Sequence, residues 1–237
     1  SIKIFQAIPF ASSQAIVRYK LNDKQIALSC SSHVGEKYHL IELLKWIKKL
    51  NIPIKTLKCG IHNPLNHQSS NSLLLSGIKP NQLHNNCAGK HLSMLSASLT
   101  NNYNLKNYLN FNHPIQKNIR NNLELFSETK IRQNNFAIDG CSAPQYGLKI
   151  KEIAKALLNL NKSYYGNFNK SNEIKKLINS ILNNPKYIGG TKNLDSNFIK
   201  ISNGKIFCKG GAEGVLLFTH LKKKISGVLK VSDGNER

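Results

Sequence analysis

The chain has 237 residues, 40% of them apolar, enough to fill a sizeable core in one large domain or two small ones. No apolar run reaches the roughly eighteen residues that a bilayer-crossing helix requires. The formal charge of +22 raises nucleic-acid binding, but all but four of the 34 basic residues are Lys (the exceptions are Arg18, Arg120, Arg132 and Arg237), spread diffusely, which points instead to a solvated basic surface.

Ser1 opens directly into an apolar pattern of Ile2, Ile4, Phe5, Ala7 and Ile8. A short strand is expected over Ile26 to Ser29. The first clear helix runs from Leu40 to Leu50, with Leu40, Leu43, Leu44, Ile47 and Leu50 on one face and Lys45, Lys48 and Lys49 on the other. Helical periodicity recurs over Lys90 to Leu99, Ile115 to Phe126, Ile150 to Leu160 and Ile174 to Leu182, each bounded by Asn, Gly, Pro or Ser. A strand is expected over Asn135 to Ile138. The polar, Lys- and Asn-rich stretch from Tyr164 to Asn184 reads as a peripheral helical insertion. Strands over Phe198 to Ile201 and Lys205 to Cys208 flank Asn203-Gly204, a pair suited to a type I′ hairpin turn. A last strand, Val228 to Val231, closes the chain in a second hairpin. Helices in the middle and strands near the end predict an α+β fold, a sheet flanked by helices, in one domain. The chain ends on Asp233-Gly234-Asn235-Glu236-Arg237, which reads like the start of another helix, so the sequence looks cut from a longer polypeptide at both ends.

Five scattered cysteines, Cys30, Cys59, Cys87, Cys141 and Cys208, suit free thiols or metal ligands better than a disulfide framework. With no signal-peptide pattern at the N-terminus, the cytoplasm is the expected compartment. Cys30, Cys59 and Cys208 are expected in the core.

Four polar clusters hold the candidate chemistry. In the first, Ser29 to Glu36, Ser31 and Ser32 fall at a turn before the amphipathic helix; they either cap it or present a hydroxyl to a base, His33 or a distant Lys. The second, Asn85 to His91, sets Cys87 and Lys90 three apart at a helix start with His91 adjacent. These are either buried structural groups or part of a metal site completed by Cys141. Lysine ligates only as the free amine, a form that a nearby cation favours. The third, Asp139 to Pro144, is a Gly turn carrying Asp139 and Cys141. The fourth, Lys209 to Gly214, offers Lys209 as a base or as one more surface cation.

In this order, Cys-Ser-Ser-His-Val-Gly-Glu from Cys30, Asn-Asn-Cys-Ala-Gly-Lys-His from Asn85 and Asp-Gly-Cys from Asp139 resemble the thermolabile, zinc-containing Rhizobium-type bacterial L-asparaginases over nearly the whole chain. The resemblance implies a fold similar to that of serine β-lactamases and glutaminases, a single asparaginase-like domain over residues 1–237, a homodimer, and asparagine as substrate. It implies a Zn2+ site with Cys87, Lys90 and Cys141 as protein ligands, the metal positioning substrate more than activating water. Lys3 matches the lysine that deprotonates an attacking serine; Ser32 and Lys209 match a second Ser and Lys pair, and Asp139 a polar residue of the same pocket. His33, Glu36, Asn86, His91 and Gly140 share those loops and are pocket candidates.

One departure stands out. The serine expected three residues before Lys3 would lie just upstream of Ser1. Either the sequence starts one residue late or this copy forms no acyl-enzyme and is a zinc-binding remnant of that family. Ser1 as an N-terminal nucleophile is an alternative, though Ser-x-Lys spacing turns its hydroxyl to another helix face. An RNA-binding basic domain is the third reading; it lacks Arg clusters and aromatic stacking pairs.

Overall fold

The computed structural model describes residues 2–235. The readings that fall on Ser1, Glu236 and Arg237 lie outside them. The chain begins with three short helices, α1 (Lys3–Gln6), α2 (Ile8–Ser12) and α3 (Ala15–Arg18), followed by α4 (Asp23–Ser29) and α5 (Lys37–Leu50). Next come α6 (His67–Leu75), α7 (Ala88–Thr100) and α8 (Pro114–Ser127), then a small antiparallel pair, β1 (Phe136–Ile138) and β2 (Pro144–Tyr146). Helices α9 (Ile150–Tyr164), α10 (Ser171–Asn183) and α11 (Leu194–Ile201) precede an antiparallel sheet of β3 (Ile206–Gly211), β4 (Val215–His220) and β5 (Ile225–Lys230), in that order. The mixture of helices with small antiparallel sheets agrees with the α+β expectation. Helix α9 packs on β4 and β5, and α11 on β3.

The core forms where the apolar N-terminal helices meet α7 and α8. Ile4, Phe5, Ala7, Ile8 and Phe10 are buried, and Phe5 packs on Phe126 of α8. Trp46 of α5 lies against Phe10 and donates its indole N–H to Ser96 Oγ of α7 at 3.0 Å. Helix α7 is buried from Ala88 to Ser98 on every side, so it runs through the interior and its start is fixed by the whole body of the fold.

Four expectations need correction. Ile26 to Ser29 is helical, not extended. Asn22 Oδ1 accepts from Gln25 N at 2.9 Å, and Gln25 Oε1 accepts from Asn22 N at 3.1 Å, a reciprocal cap that starts α4 ahead of an apolar run too short to separate strand from buried helix by periodicity. Phe198 to Ile201 is likewise the last turn of α11, whose N-cap Asn193 accepts from Asp195 N. Asn203 and Gly204, with φ of 50° and 70°, therefore end a helix and lead into β3 instead of turning a hairpin. The hairpin turn after β3 is Ala212 to Gly214, and the β4–β5 hairpin closes the sheet. Finally, the stretch from Tyr164 to Asn184 is not peripheral. Ile174, Leu177, Ile178 and Ile181 of α10 are buried against α2, α4 and α9, worth about 1.5–3 kcal/mol each, while the Lys and Asn residues form the outward face.

Candidate active site and metal centre

Helix α4 ends at Cys30 and hands the chain to an irregular segment, residues 31–36, before α5. Main-chain bonds pin this segment from two sides. Ser32 N donates to Ile188 O at 2.9 Å, Val34 N to Gly189 O at 2.8 Å, and His33 N to Asn86 O at 3.2 Å. The N-cap of α5 is Glu36, so Ser31 and Ser32 do not cap it. Ser31 Oγ bonds back to Leu28 O, and Ser32 Oγ is left to accept from Lys3 Nζ at 2.7 Å; the same amine donates to Ser31 O at 2.5 Å. Lys3 is buried on α1. Burial lowers its pKa, and the neighbouring Lys90 and Lys209 ammonium groups add to that drop, together outweighing the opposite pull of Cys87.

Cys87 forms the N-cap of α7, its own N–H fixed by Asn85 Oδ1 at 2.9 Å, and Lys90 follows on the first turn. The β1–β2 turn brings Asp139 and Cys141 over that helix start; Ser142 N donates to Asp139 O, and Asp139 N to Ala143 O. Cys87 Sγ, Cys141 Sγ and an Asp139 carboxylate oxygen lie within 4.8 Å of one another. Lys90 Nζ is 3.2 Å from Asp139 Oδ2, and Cys141 Sγ is 3.6 Å from the same oxygen. Cys87, Lys90 and Cys141 are all buried.

The electrostatics of the cluster are those of a cation site. A hydrogen bond with Cys141, opposed by burial and helped by Lys3 and Lys90, holds Cys87 well below the usual thiol range, while the same contact with burial raises Cys141. Burial works against the Lys90 ammonium, but Cys87, Cys141 and Asp139 together raise it. Cys87, Cys141 and Asp139 form a donor set that could hold a metal ion; Lys90, kept as an ammonium by the same three groups, could join it only by giving up its proton. Asp139, which the resemblance places in the substrate pocket, has its carboxylate in this cluster.

A cavity of about 540 Å³ opens beside Ser32. Its polar wall carries Ser32, Asn86, Asn193, Asp195 and Lys209; its apolar wall includes Leu65, Leu194, Leu216 and Leu229. Lys209, on β3, is buried with Asp195. Its Nζ donates to Asp195 Oδ2 at 2.6 Å and to Gly210 O at 2.8 Å, while Gly210 N donates to Asp195 Oδ1 at 2.6 Å. Sequence reading missed Asp195. Its signal was Asn193, a helix cap two residues earlier, obscured by taking Phe198 to Ile201 as a strand.

A family model described as L-asparaginase II matches residues 1–237, the full length of the chain. The chain belongs to the L-asparaginase II family. A search of curated proteins returns no significant match. Family membership supports amide hydrolysis with asparagine as the substrate.

Among the remaining candidates, the structure brings only Asn86 to the cavity of this asparaginase-family chain. Asn86 N donates to His62 Nε2, and its carbonyl holds His33 N. His33 is buried with its ring 5.2 Å from that of His39, its Nδ1 accepting from Gly35 N; burial, with His39 beside it, drives its pKa well down, so the ring is neutral. Glu36 accepts from Tyr38 Oη at 2.6 Å and Thr191 N at 2.9 Å, tying the start of α5 to the loop after α10. His91 sits inside α7 with Nδ1 2.6 Å from Tyr108 Oη. Gly140 is exposed, and its N–H donates to Asp139 Oδ1 at 2.8 Å, steadying that carboxylate. His33, Glu36 and His91 thus hold the loops that carry the site and do not line the cavity. Cys30, Cys59 and Cys208 are buried free thiols, as expected of core residues.

Proposed function

We propose that the chain hydrolyses the side-chain amide of asparagine to aspartate and ammonia by Ser/Lys acyl transfer. The observation that carries this reading is Lys3 Nζ, buried and 2.7 Å from Ser32 Oγ on the wall of a substrate-sized cavity. In the proposed cycle, the neutral Lys3 amine takes the proton of a serine hydroxyl as its oxygen attacks the amide carbon. The resemblance assigns that hydroxyl to a position upstream of Ser1; among the described residues, Ser32 is the hydroxyl that Lys3 touches. The tetrahedral oxyanion is stabilised by the cationic wall that Lys209 provides, the amide nitrogen leaves as ammonia with the proton returned from Lys3, and water cleaves the acyl ester. Lys209 also attracts the substrate's α-carboxylate.

Cys87, Lys90 and Cys141 would hold Zn2+, with Asp139 alongside. When bound, the ion would supply a fixed positive charge, and its ligands would tie the start of α7 to the β1–β2 turn. We read the fold as serine β-lactamase- and glutaminase-like, in a single domain, on the strength of an antiparallel sheet flanked by α9 and α11 with a buried lysine on its first strand next to a helical body. The reading also takes a cytoplasmic homodimer, consistent with thiols that are all free.

Ammonia release from asparagine and from glutamine, measured for the wild type, Ser32→Ala and Lys3→Met together with zinc content by mass spectrometry, tests the proposal. Turnover of asparagine that is lost in both variants supports it. Bound zinc without turnover, both in this chain and in one carrying a serine added before Ser1, selects the non-catalytic remnant instead.

A further inference from the structure

We propose that Asp195 is the positioning residue of the cavity, holding the Lys209 ammonium in one orientation as a fixed cation facing substrate. This rests on the asparaginase reading of the cavity for its consequence, though not for its geometry. Lys209 was a candidate base on sequence grounds. The structure pairs it with a carboxylate whose side chain, like its own, is only 3% exposed. A lysine clamped in this way serves as a charge, and Lys3, which touches a hydroxyl, is left as the amine suited to accept a proton.

Asp195 is itself held from three directions. It stands in the first turn of α11, where its own N–H is taken by Asn193 Oδ1 at 3.0 Å and unpaired helix N–H groups favour a negative charge. Its Oδ1 accepts from Gly210 N and its Oδ2 from Lys209 Nζ, both at 2.6 Å, so the carboxylate bridges the main chain and side chain of adjacent residues on β3. The missing side chain of Gly210 permits this approach: a Cβ there would stand 3.1 Å from Asp195 Oδ1. With two of its contacts, Asp195 Oδ2 and Gly210 O, fixing Lys209 Nζ, the amine's third hydrogen is directed by the protein and not by the flexible lysine stem. Both residues line the cavity. An anionic group entering it, such as a free amino acid's carboxylate, meets a cation that needs no reorganisation.

A double-mutant cycle of Asp195→Asn, Lys209→Met and the pair tests this, read by kcat and KM for asparagine and by the Kd of the product L-aspartate in calorimetry. Asp195→Asn keeps the shape and an acceptor for Gly210 N while removing the charge. We expect each single variant to weaken aspartate about tenfold, with KM moving more than kcat, and the double variant to be no worse than Lys209→Met alone, because Asp195 acts through Lys209. A purely structural Asp195 would add its effect to that of Lys209→Met. Effects that multiply, or aspartate binding unchanged in Asp195→Asn, overturn the proposal. A second readout needs no substrate. Acylation of Lys209 by acetic anhydride, mapped by mass spectrometry in the folded protein, should be slow in the wild type and about tenfold faster in Asp195→Asn, as expected for loss of a charge-assisted hydrogen bond. If the wild type proves inactive and does not bind aspartate, the functional reading fails, and this labelling alone decides the role of Asp195; equal labelling rates reject it.

Discussion

Replacing Gly89 by Ala sets two opposing effects against each other, and the structure decides between them. Gly89 lies in α7 between Cys87 and Lys90, at the point where α7 crosses α4. A Cβ built there would be 2.0 Å from Leu28 O, 2.6 Å from Leu28 C and 3.2 Å from Leu28 Cβ. Two of those atoms belong to the main chain of α4, which no rotamer change can withdraw. Ordinary contact begins near 3.4 Å, so the helices must part by about 1.4 Å (3.4 minus 2.0) along that line. Alanine is the better helix former by about 1 kcal/mol, but overpacking of this kind costs about 1–3 kcal/mol and loosens the contacts around it. A clash with main-chain atoms lies at the upper end of that cost, about 3 kcal/mol, and outweighs the propensity: we expect a net loss of about 2 kcal/mol, a fall of roughly 4–8 °C in the thermal midpoint followed by circular dichroism. Because α4 leads directly into Ser31 and Ser32, its retreat also draws both acceptors away from Lys3, and ammonia release at 25 °C should fall further than the folded fraction does. A variant that melts at or above the wild-type midpoint would refute the reasoning, since the α4–α7 seam would then be free to relax.

Acid should destabilise the protein through His39. Burial holds its imidazole down at about 4, against 6.5 when unfolded, so its contribution is complete above about pH 6.5 and is lost as the pH falls towards 4, by up to about 3 kcal/mol. His33 acts in the same direction. Urea midpoints at pH 7, 5.5 and 4.5 should decline and His39→Gln should flatten the slope; midpoints that hold steady across this range would count against it. Cys141→Ser should abolish zinc binding measured by mass spectrometry and lower the thermal midpoint by several degrees, as should dialysis of the wild type against a chelator, because buried donors lose their common partner. Full zinc occupancy in that variant would remove Cys141 from the ligand set.

How much of this was legible beforehand depended on whether a local signal agreed with its surroundings. Helix α5 could be read because Leu43, Ile47 and Leu50 face inward and Lys45, Lys48 and Lys49 outward; even there Trp46 takes the buried place expected of the half-exposed Leu44. Helix α10 showed its periodicity, yet its Lys and Asn content hid the depth of the apolar stripe, which only packing against α4 reveals. Ile26 to Ser29 and Phe198 to Ile201 are short apolar runs whose state is fixed by the caps at Asn22 and Asn193, several residues upstream. In the site, the motifs around Cys87 and Cys141 stand out in the sequence, but the meeting of Cys87, Asp139 and Cys141 follows from long-range folding of the β1–β2 turn onto α7. Spacing alone could not separate His33, Glu36 and His91, which brace the loops, from Asn86, which reaches the cavity. Asp195 went unseen because its partner, Lys209, is fourteen residues away and meets it only when α11 packs on β3.

The single tryptophan of the chain, Trp46, is wedged between α2, α5 and α7 with its N–H engaged by Ser96. Fully buried, it should emit to the blue of an exposed indole, with no label needed and no second indole to confuse the signal. Slippage along α7, the helix that presents Cys87 and Lys90, is therefore visible as a red shift, whereas fraying of the β3–β5 sheet leaves the spectrum dark to change. The protein thus separates, by optics alone, failure at the interior behind its cysteine cluster from failure at its sheet.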